Sequence, residues 1–249
     1  DDLSLSHGAG ALFARMDHWD MQFQTLTESL NQWITQPPFQ LREMSLPLWV
    51  SAVERRKAAD QILACWRQNL RGLPAAERGS AGFTLDLSEN PLGDLPTLAG
   101  NFSHVGTLKL NKVFISEQGL DGFLGAFQGI HTLELNSNLL ANLPAPVFAI
   151  NDLKHLSASG NQLRSTPQLT TQLATLTQLQ SLDLSHNWLE SLDVSPLAQL
   201  GALNLQTNRL VAWPEGVLEL PSLTTLNLRD NMLEAVPHAL MSERYSRLR

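Results

Sequence analysis

The side chains best suited to catalysis or metal binding in this sequence are His155, Asp183, Ser185 and His186. A serine hydroxyl beside a histidine and a carboxylate has the composition of a hydrolase triad, and histidines with an aspartate are common zinc ligands. Either chemistry requires the groups to meet within hydrogen-bonding or coordination distance, in a site that tunes their pKa values. Whether they meet depends on the local structure that carries each of them.

A frame of the form L-x-L-x-x-N-x-L recurs through the chain and is clearest at residues 182–189. In-phase copies, some of them looser, occupy 85–92, 108–115, 133–140, 156–163, 203–210 and 226–233. This frame is the signature of a leucine-rich repeat. Seven copies in phase predict an α/β leucine-rich-repeat solenoid with parallel strands on its concave face.

The frame has a physical explanation in the alternation of side chains along a strand. The two leucines of L-x-L lie on one face of a short strand and point into the solenoid, where stacked repeats bury them. The Asn amide both donates and accepts hydrogen bonds, so stacked repeats predict a ladder of buried amides. Val113 stands in the Asn place of the second repeat. We therefore expect the ladder to break there and its neighbours to find other partners.

The frame separates the candidate catalytic groups. His155 precedes the first leucine of its strand, whereas Asp183 and His186 follow theirs, so the groups are spread over an open surface. The sequence also lacks a phosphate loop, a zinc-ligand spacing and a nucleophile motif. We predict no catalytic site, no metal site and no cofactor. Cys65, the only cysteine, lies on a predicted helix where burial would raise its pKa and make it inert.

Two helices are predicted ahead of the repeats; the first is expected to begin near Leu12, after a flexible start at residues 1–10, and to bury a narrow stripe. An apolar seam at alternating spacings of four and three predicts the first; it comprises Leu12, Met16, Trp19, Phe23, Leu26, Leu30 and Trp33. The second is expected to start within 46–51, with Ser51 and Glu54 as a capping box and residues 54–57 on a solvated face. We divide the chain into a helical cap (1–80) and repeats (81–249). The hairpin covers the open end of the solenoid; the alternative is a separate docking or coiled-coil surface.

Charge and composition limit the partner and the compartment. The net charge is −7, from 24 acidic and 17 basic residues, which argues against nucleic acid or an anionic membrane as partner. The sequence contains no apolar run of the ~18 residues needed to cross a membrane. A single cysteine favours a reducing compartment. Residues 246–249 match the lead-in to earlier strands, so we expect a truncated solenoid from a longer protein.

A protein partner is expected on the outward strand positions and on the rim beside them. We define the exit rim as the residues that follow each Asn position: Pro91, Phe114, Leu139, Gln162, Trp188, Arg209 and Met232. The alternative is that these rim residues pack on one another and seal the edge. Trp213 takes the leucine place of a Leu-Pro pair and is predicted to be core. The predicted partner-binding residues are Lys109, Lys112, Glu134, Asp183, His186, Trp188, Asn204 and Arg229.

Three stretches carry a resemblance to a known family. They are the helical lead-in 64–67, the first repeat 85–96, and residues 102–105 leading to the Phe-Leu-Gly-Ala-Phe turn at 123–127. The chain resembles the leucine-rich-repeat segments of bacterial effector-like proteins that end in a novel E3 ligase (NEL) domain. The resemblance implies that the repeats select a substrate, such as a host protein, while a separate domain carries ubiquitin on a Cys thiolate. Arg67 stands in the Asp place of that family's Cys-x-Asp motif, so Cys65 does not match it.

The resemblance also implies a bacterial source and secretion into the host cytoplasm. Repeats longer than the ~20 residues of the best-known members depart from the family pattern. A second hypothesis is a non-enzymatic scaffold or inhibitory binding module. A third is a fragment of an adhesion protein or receptor, against which the absence of cysteine-rich caps speaks.

Overall fold

A computed structural model of the chain describes residues 2–37, 50–70 and 82–241, without the side chains of 2–13, 15, 69, 70, 239 and 241. The α-helices are α1 (Asp2–Thr35), α2 (Ala52–Leu70) and α3 (Pro167–Leu173). Short 3-10 helices span Leu124–Ala126, Ala145–Ala149 and His238–Met241. The strands are β1 (Phe83–Asp86), β2 (Val105–Lys109), β3 (Thr132–Glu134), β4 (His155–Ser157), β5 (Ser181–Asp183), β6 (Ala202–Asn204) and β7 (Thr225–Asn227).

The strands form one open parallel sheet in which each strand pairs with the next along the chain, in the order β1 to β7. The first leucine of each frame pairs with that of the next, as in Leu133 with Leu156 and Leu182 with Leu203. Outward residues alternate with these leucines, which are buried from Leu85 to Leu203. The predicted leucine-rich-repeat solenoid is therefore confirmed, because one strand per repeat stacks in register around a continuous core.

The asparagine ladder holds the repeats together behind the sheet. The Asn161 Oδ1 atom accepts from the backbone N–H groups of Asn138 (2.9 Å) and Leu140 (3.1 Å) in the preceding repeat. Its Nδ2 group donates to the carbonyl oxygens of Leu135 and Ala158, each at 3.0 Å. One buried amide thus satisfies four backbone groups, and leaving such groups without partners would cost about 1–3 kcal/mol each.

The ladder breaks at Val113, as predicted, and the neighbouring groups find other partners. The Leu92 N–H, which would meet an amide oxygen in an intact ladder, donates to the Val113 carbonyl oxygen instead (3.1 Å). The N–H groups of Val113 and Phe114 both donate to Asn138 Oδ1, each at 2.9 Å. The next amide therefore bridges the gap, and the second repeat stays stacked without an Asn of its own.

The residue before each ladder position adopts a left-handed backbone conformation. The φ angles in this left-handed column are 64° at Glu89, 54° at Lys112, 57° at Ser137, 68° at Gly160, 54° at His186, 55° at Thr207 and 57° at Asp230. Left-handed geometry costs roughly 1–2 kcal/mol for a residue with a Cβ atom. Gly160, the glycine of this column, avoids that cost. The ladder hydrogen bonds on either side hold the chain in this turn as it leaves each strand.

The helical hairpin packs on the first repeat. Ser29 Oγ donates to the Thr97 carbonyl oxygen (2.6 Å), and Trp33 Nε1 donates to that of Asp94 (2.7 Å). Leu26, Leu30 and Trp33 are buried with Ile62 and Trp66 of α2 in the core that continues into the sheet. The hairpin therefore covers the β1 end of the solenoid, as the sequence predicts.

Two predictions about α1 are wrong. The helix begins at Asp2 rather than near Leu12, and the seam is not buried along its whole length, because Met16 is 48% exposed. The contacts of α1 with α2 and the first repeat include those of Phe23, Ser29 and Trp33, which lie in the C-terminal half of the helix.

The prediction of a fully solvated face at residues 54–57 is also wrong, because Arg55 is buried with 3% exposure. Its Nε donates to the Leu92 carbonyl oxygen (3.0 Å), and its Nη1 donates to those of Trp33 (2.8 Å) and Gln36 (2.9 Å). The guanidinium also lies 5.4 Å from the centre of the Trp33 ring. Burial lowers the Arg55 pKa, and the Asp94 carboxylate opposes that shift. Arg55 thus ties both helices to the first repeat.

The start of α2 shows half of the predicted capping box. The helix begins at Ala52, one residue after the expected window, and Ser51 Oγ accepts from the Val53 N–H (3.1 Å). Glu54 pairs with Lys57 at 2.9 Å, so its carboxylate does not close the box. Within residues 54–57, the predicted solvation holds for Arg56 and Lys57, which are exposed, whereas Glu54 is half-buried.

The convex side carries short connecting segments. The second repeat has a short 3-10 helix on this side, and the fourth has α3, whose cap Thr166 Oγ accepts from the Leu169 N–H (3.1 Å). Trp213 packs against the core but is only half-buried, which corrects the prediction of a core position. Its Nε1 donates to the Ala235 carbonyl oxygen (3.1 Å).

Residues 246–249, on which the predicted truncation rests, lie outside the described part of the chain. None of the described helices has an apolar stretch long enough to span a bilayer.

Candidate functional site

The concave face between β4 and β7 is a network of polar side chains. Asp183 is its centre: Oδ1 accepts from the Ser185 N–H (2.9 Å) and hydroxyl (2.7 Å), and Oδ2 accepts from Asn204 Nδ2 (3.0 Å). Asn227 Nδ2 donates to the Gln206 Oε1 atom (3.0 Å) and extends the network to the last strand. These bonds join neighbouring repeats, so the polar groups are held in place before any partner arrives.

Two of the predicted binding residues, Asp183 and Asn204, line a shallow hollow on this face. The hollow has a volume of about 230 Å³ and is bounded by Ser181, Leu182, Asp183, Ala202, Leu203, Asn204, Thr225 and Asn227. The small side chains of Ser181 and Ala202 leave the space open. His186 and Arg229 are exposed beyond it, and neither side chain bonds to another residue in the described part of the chain. The hollow therefore offers fixed acceptors and donors, with the Arg229 guanidinium and the His186 imidazole exposed beside them.

The other predicted residues form a second cluster on β2 and β3. Lys109 pairs with Glu134 at 2.9 Å, and Asn111 Nδ2 donates to the second oxygen of Glu134 (2.7 Å). The hydrogen bond and the charge of Glu134 raise the Lys109 pKa. Lys112 pairs with Glu89 at 2.9 Å on the exposed edge. Exposed pairs of this kind contribute about 0–1 kcal/mol, so these charges shape the surface more than they stabilise it.

The predicted site therefore falls into two groups rather than one. Lys109, Lys112 and Glu134 belong to the second and third repeats, and the other five residues belong to the fifth, sixth and seventh. Strand β4, with His155 and Ser157, separates them. A partner has to cross the fourth repeat to touch both groups.

Trp188 stands out on the exit rim because two arginines flank it. The guanidinium carbon of Arg164 lies 5.0 Å from the ring centre and that of Arg209 lies 5.2 Å from it. Arg164 belongs to the repeat before Trp188 and Arg209 to the repeat after it, so the stack crosses three repeats. The ring is half-buried and both arginines are exposed. Trp188 and Arg209 therefore pack on each other, as the alternative interpretation of the rim expects. The stack as a whole nevertheless faces solvent.

Arg164 is a residue that sequence reasoning missed. It follows Leu163, three places after its Asn rather than one, and so lies outside the column that defines the exit rim. Its backbone forms a parallel bridge with Trp188, which brings the two residues side by side. The sequence signal that could have found Arg164 is a pair of charged residues, one in the repeat before Trp188 and one in the repeat after it.

The candidate hydrolase groups do not form a triad. The Ser185 hydroxyl donates to Asp183, a carboxylate, at 2.7 Å, and it is buried, so no histidine receives its proton. His155 lies on β4, where partial burial and then the charges of His131 and Lys154 lower its pKa. No group of three metal-ligating side chains occurs among the described residues.

Cys65 and His104 form a buried contact that resembles a nucleophile and base. The Sγ atom lies 3.7 Å from His104 Nε2, and burial raises the thiol pKa to about 11. The same Nε2 atom lies 2.9 Å from the Cys65 carbonyl oxygen, which can only accept, so the imidazole donates there. A nitrogen that carries its proton cannot take one from the thiol. The contact serves packing between α2 and the lead-in to β2.

A second concavity, which the sequence did not predict, lies beyond the rim on the fourth to sixth repeats. This groove has a volume of about 600 Å³. Trp213 and Val211 give it apolar walls, and Glu190, Asp193 and Glu215 give it carboxylates. The half-exposure of Trp213 is explained by its position on this wall.

Comparison with known proteins agrees with the fold. The family model described as Leucine Rich Repeat matches residues 178–200. A solved structure of a leucine-rich-repeat protein of Leptospira interrogans aligns over 70% of this chain and 44% of its own, with 26% identity and a TM-score of 0.58. Both likenesses support a leucine-rich-repeat solenoid.

Two curated proteins are also similar to this chain. Transforming growth factor beta activator LRRC33 of Danio rerio is 30% identical over 162 residues, which is 61% of this chain and 23% of the relative. Trophoblast glycoprotein of Macaca fascicularis is 33% identical over 140 residues, which is 48% of this chain and 33% of the relative. The matched region therefore spans about a quarter to a third of the length of these relatives.

Proposed function

We propose that this chain is a protein-recognition module that binds its partner on the concave strands and the exit rim around Trp188. The observation that supports this proposal most directly is the stack of Trp188 between Arg164 and Arg209. Trp and Arg are the residues most often found as interface hot spots. The stack borders a hydrogen-bonded polar surface that presents Asp183 and Asn204 in fixed positions.

Pre-organisation makes this surface suited to binding. A partner that meets side chains already held by neighbours pays less conformational entropy on association. Asp183 and Asn204 are fixed by their mutual hydrogen bond, and the Trp188 ring is confined by two guanidinium groups. One curated relative is named as an activator of transforming growth factor beta. That name supports a protein partner for the repeats, although it describes the relative.

The finer part of the proposal is that the partner is a substrate of a bacterial E3 ubiquitin ligase effector. The support is the resemblance of residues 64–67, 85–96 and 102–105 to the NEL effectors. In that role the chain selects a host protein in the reducing host cytoplasm, and a separate catalytic domain transfers ubiquitin. A chain with one buried thiol is compatible with such a compartment. The second candidate is a scaffold or inhibitory module, which the same concave surface would serve without ubiquitin transfer.

Selection of binders from a displayed protein library against the whole chain tests the recognition proposal. The dissociation constants of the selected binders are then measured for the wild type and two variants, Trp188→Ala and Ala202→Tyr. Removing a central interface aromatic is expected to cost at least about 2 kcal/mol, or roughly thirtyfold in affinity. The tyrosine at 202 fills the concave hollow and should block binding while the buried leucines stay in place.

Arg56→Glu on α2 is the matched control, because Arg56 is exposed and belongs to the helical hairpin rather than to the repeats. Binders should retain wild-type affinity for this variant. If they bind the Trp188 and Ala202 variants normally and lose affinity for the α2 variant, the hairpin is the recognition surface and the proposal fails.

A ubiquitin assay tests the ligase assignment. The chain alone, mixed with ubiquitin and the upstream enzymes, should form no ubiquitin conjugate, because the Cys65 thiol is buried with a raised pKa. The complete reading frame should ubiquitinate a protein bound through the concave face, and Trp188→Ala should abolish that modification. Conjugates formed by the chain alone and lost in Cys65→Ser would contradict the assignment of transfer to a separate domain. A complete protein without ligase activity would favour the scaffold.

A further inference from the structure

We infer that the stack of Arg164, Trp188 and Arg209 is a binding site for an acidic segment of a protein, with two carboxylates that pair with the two arginines. The inference rests on the proposed recognition function and names the chemistry of its partner. Both guanidinium groups are exposed. Neither forms an ion pair with an acidic side chain in the described part of the chain.

The stack fixes the arginines while leaving their hydrogen-bond donors free. Each guanidinium carbon lies close to the Trp188 ring, at 5.0 Å and 5.2 Å from its centre. Contact with a ring restricts the long arginine side chain and so reduces the entropy lost when a ligand binds. The planar guanidinium presents N–H groups that match both oxygens of a carboxylate. Two such groups on either side of one ring form a prepared pair of anion receptors.

The spacing of the repeats sets the spacing of the carboxylates. Arg164 and Arg209 are rooted two repeats apart, which is about 10 Å at the usual distance between neighbouring strands, and both side chains lean toward the ring between them. Residues two apart in an extended segment are about 7 Å apart, and residues three apart about 10 Å. The segment therefore runs along the solenoid axis with two acidic residues separated by one or two others. The Trp188 ring packs against the residue between them.

The charges around the stack favour a short acidic segment over a polyanion. The chain as a whole carries a net charge of −7. Glu190 follows two residues after Trp188, Asp183 ends the strand of the same repeat, and Asp230 lies after β7 two repeats further on. These carboxylates repel a nucleic acid or a phospholipid surface, which present many negative charges at once. A peptide with two carboxylates carries fewer negative charges than a polyanion, so the surrounding acids repel it less.

Titration followed by NMR on the whole chain tests this inference. The probe is an acetylated and amidated peptide, Gly-Glu-Ala-Glu-Gly, and the signal is the Trp188 indole N–H, assigned by its loss in Trp188→Phe. The peptide is expected to shift this signal, whereas the matched Gly-Gln-Ala-Gln-Gly and Gly-Lys-Ala-Lys-Gly peptides leave it in place. Arg164→Gln and Arg209→Gln should each weaken binding at least tenfold, and added salt should weaken it further.

Arg67→Gln is the matched control, because Arg67 lies 5.1 Å from the centre of the Phe23 ring on the helical cap. It removes the same charge and the same type of contact, and it should leave the titration unchanged. Thermal unfolding of all three variants checks that they fold. Equal responses to the glutamate and glutamine peptides, or wild-type affinity in both Arg164→Gln and Arg209→Gln, would overturn the inference.

The library binders separate this inference from the proposed function. Binders that lose affinity for Trp188→Ala but keep it for Arg164→Gln and Arg209→Gln would overturn the acidic-segment inference and leave the recognition proposal standing. Binders that are insensitive to Trp188→Ala and to Ala202→Tyr would overturn the recognition proposal itself. Selected sequences with paired acidic residues, and loss of affinity in both arginine variants, would support both.

Discussion

Single side chains in this molecule take their properties from the repeats on either side. His155 illustrates the point: partial burial lowers its pKa, and His131 and Lys154 in adjacent parts of the structure lower it further. A histidine with a lowered pKa stays neutral in the folded state while the unfolded chain already takes up a proton. The folded state is therefore penalised as pH falls below the unfolded pKa of about 6.5, and it is unaffected above that value.

The pH dependence gives a prediction for His155. His131→Gln removes the larger of the two charge contributions and should raise the His155 pKa toward 6.5, as measured by NMR titration of the imidazole protons. His155→Gln should lose less stability than the wild type as the pH falls below about 6.5. His18→Gln, on the exposed face of α1, is the control and should leave the His155 titration unchanged. An unchanged His155 pKa in His131→Gln would contradict the assigned cause.

Several residue-scale features could be predicted from the sequence, and others could not. The L-x-L leucines and the ladder asparagines occupy fixed places in the frame, and so their burial follows from the pattern alone. The break at Val113 was predictable because valine lacks an amide. The sequence predicted only part of the stack at Trp188, because Arg164 lies outside the exit-rim column. Arg164 reaches the ring because its repeat packs against the repeat of Trp188. Contacts between repeats at unequal frame positions are set by side-chain reach, which a periodic pattern does not encode.

At the scale of elements, the joint between the hairpin and the first repeat depends on one buried cation. Arg55 donates to three carbonyl oxygens, in α1, in the residue after α1 and in the first repeat. The sequence places this arginine in a run of charges that reads as a solvated helix face. Only the approach of α1 and the first repeat turns one member of that run inward, because their carbonyl oxygens need donors.

We predict that Arg55→Met lowers the free energy of unfolding by roughly 3 kcal/mol or more, because two buried carbonyl oxygens and one part-buried carbonyl oxygen lose their donor. Arg56→Met is the matched control: Arg56 is exposed, and the change should stay within about 0.5 kcal/mol. Urea unfolding followed by circular dichroism measures both. Equal stability of the two variants would mean that water replaces the arginine at the joint.

At the scale of the whole molecule, the two ends of the described sheet differ in how they are covered. Strand β1 lies under the helical hairpin, and Leu85, Leu87 and Leu92 are buried. At the other end, Leu226, Leu228 and Leu233 are only partly buried. Repeats that contact only their neighbours have stabilities that are approximately the sum of local terms. Local opening is therefore expected to be easier at the β7 end.

Hydrogen exchange measures this difference. Amides in 225–233 should exchange roughly tenfold faster than those in 182–189, since a difference of about 1.4 kcal/mol in local opening gives that factor. Amides in 85–92 are the internal comparison, and they should exchange as slowly as those of the central repeats. Equal exchange rates at β1 and β7 would show that the hairpin contributes no protection.

The left-handed turn before each ladder position also determines where this surface can evolve. The backbone angle there is nearly the same for glutamate, lysine, histidine, threonine and aspartate, so one side chain can replace another without adding strain. A single codon change at Glu89, Lys112 or Asp230 can then reverse or remove a surface charge beside the concave face while the fold stays as stable. Gly160 is the exception, because a Cβ atom there would lie 2.9 Å from Ser137 Oγ. Genetic drift along this column is expected to change which partner the molecule selects before it changes whether the molecule folds.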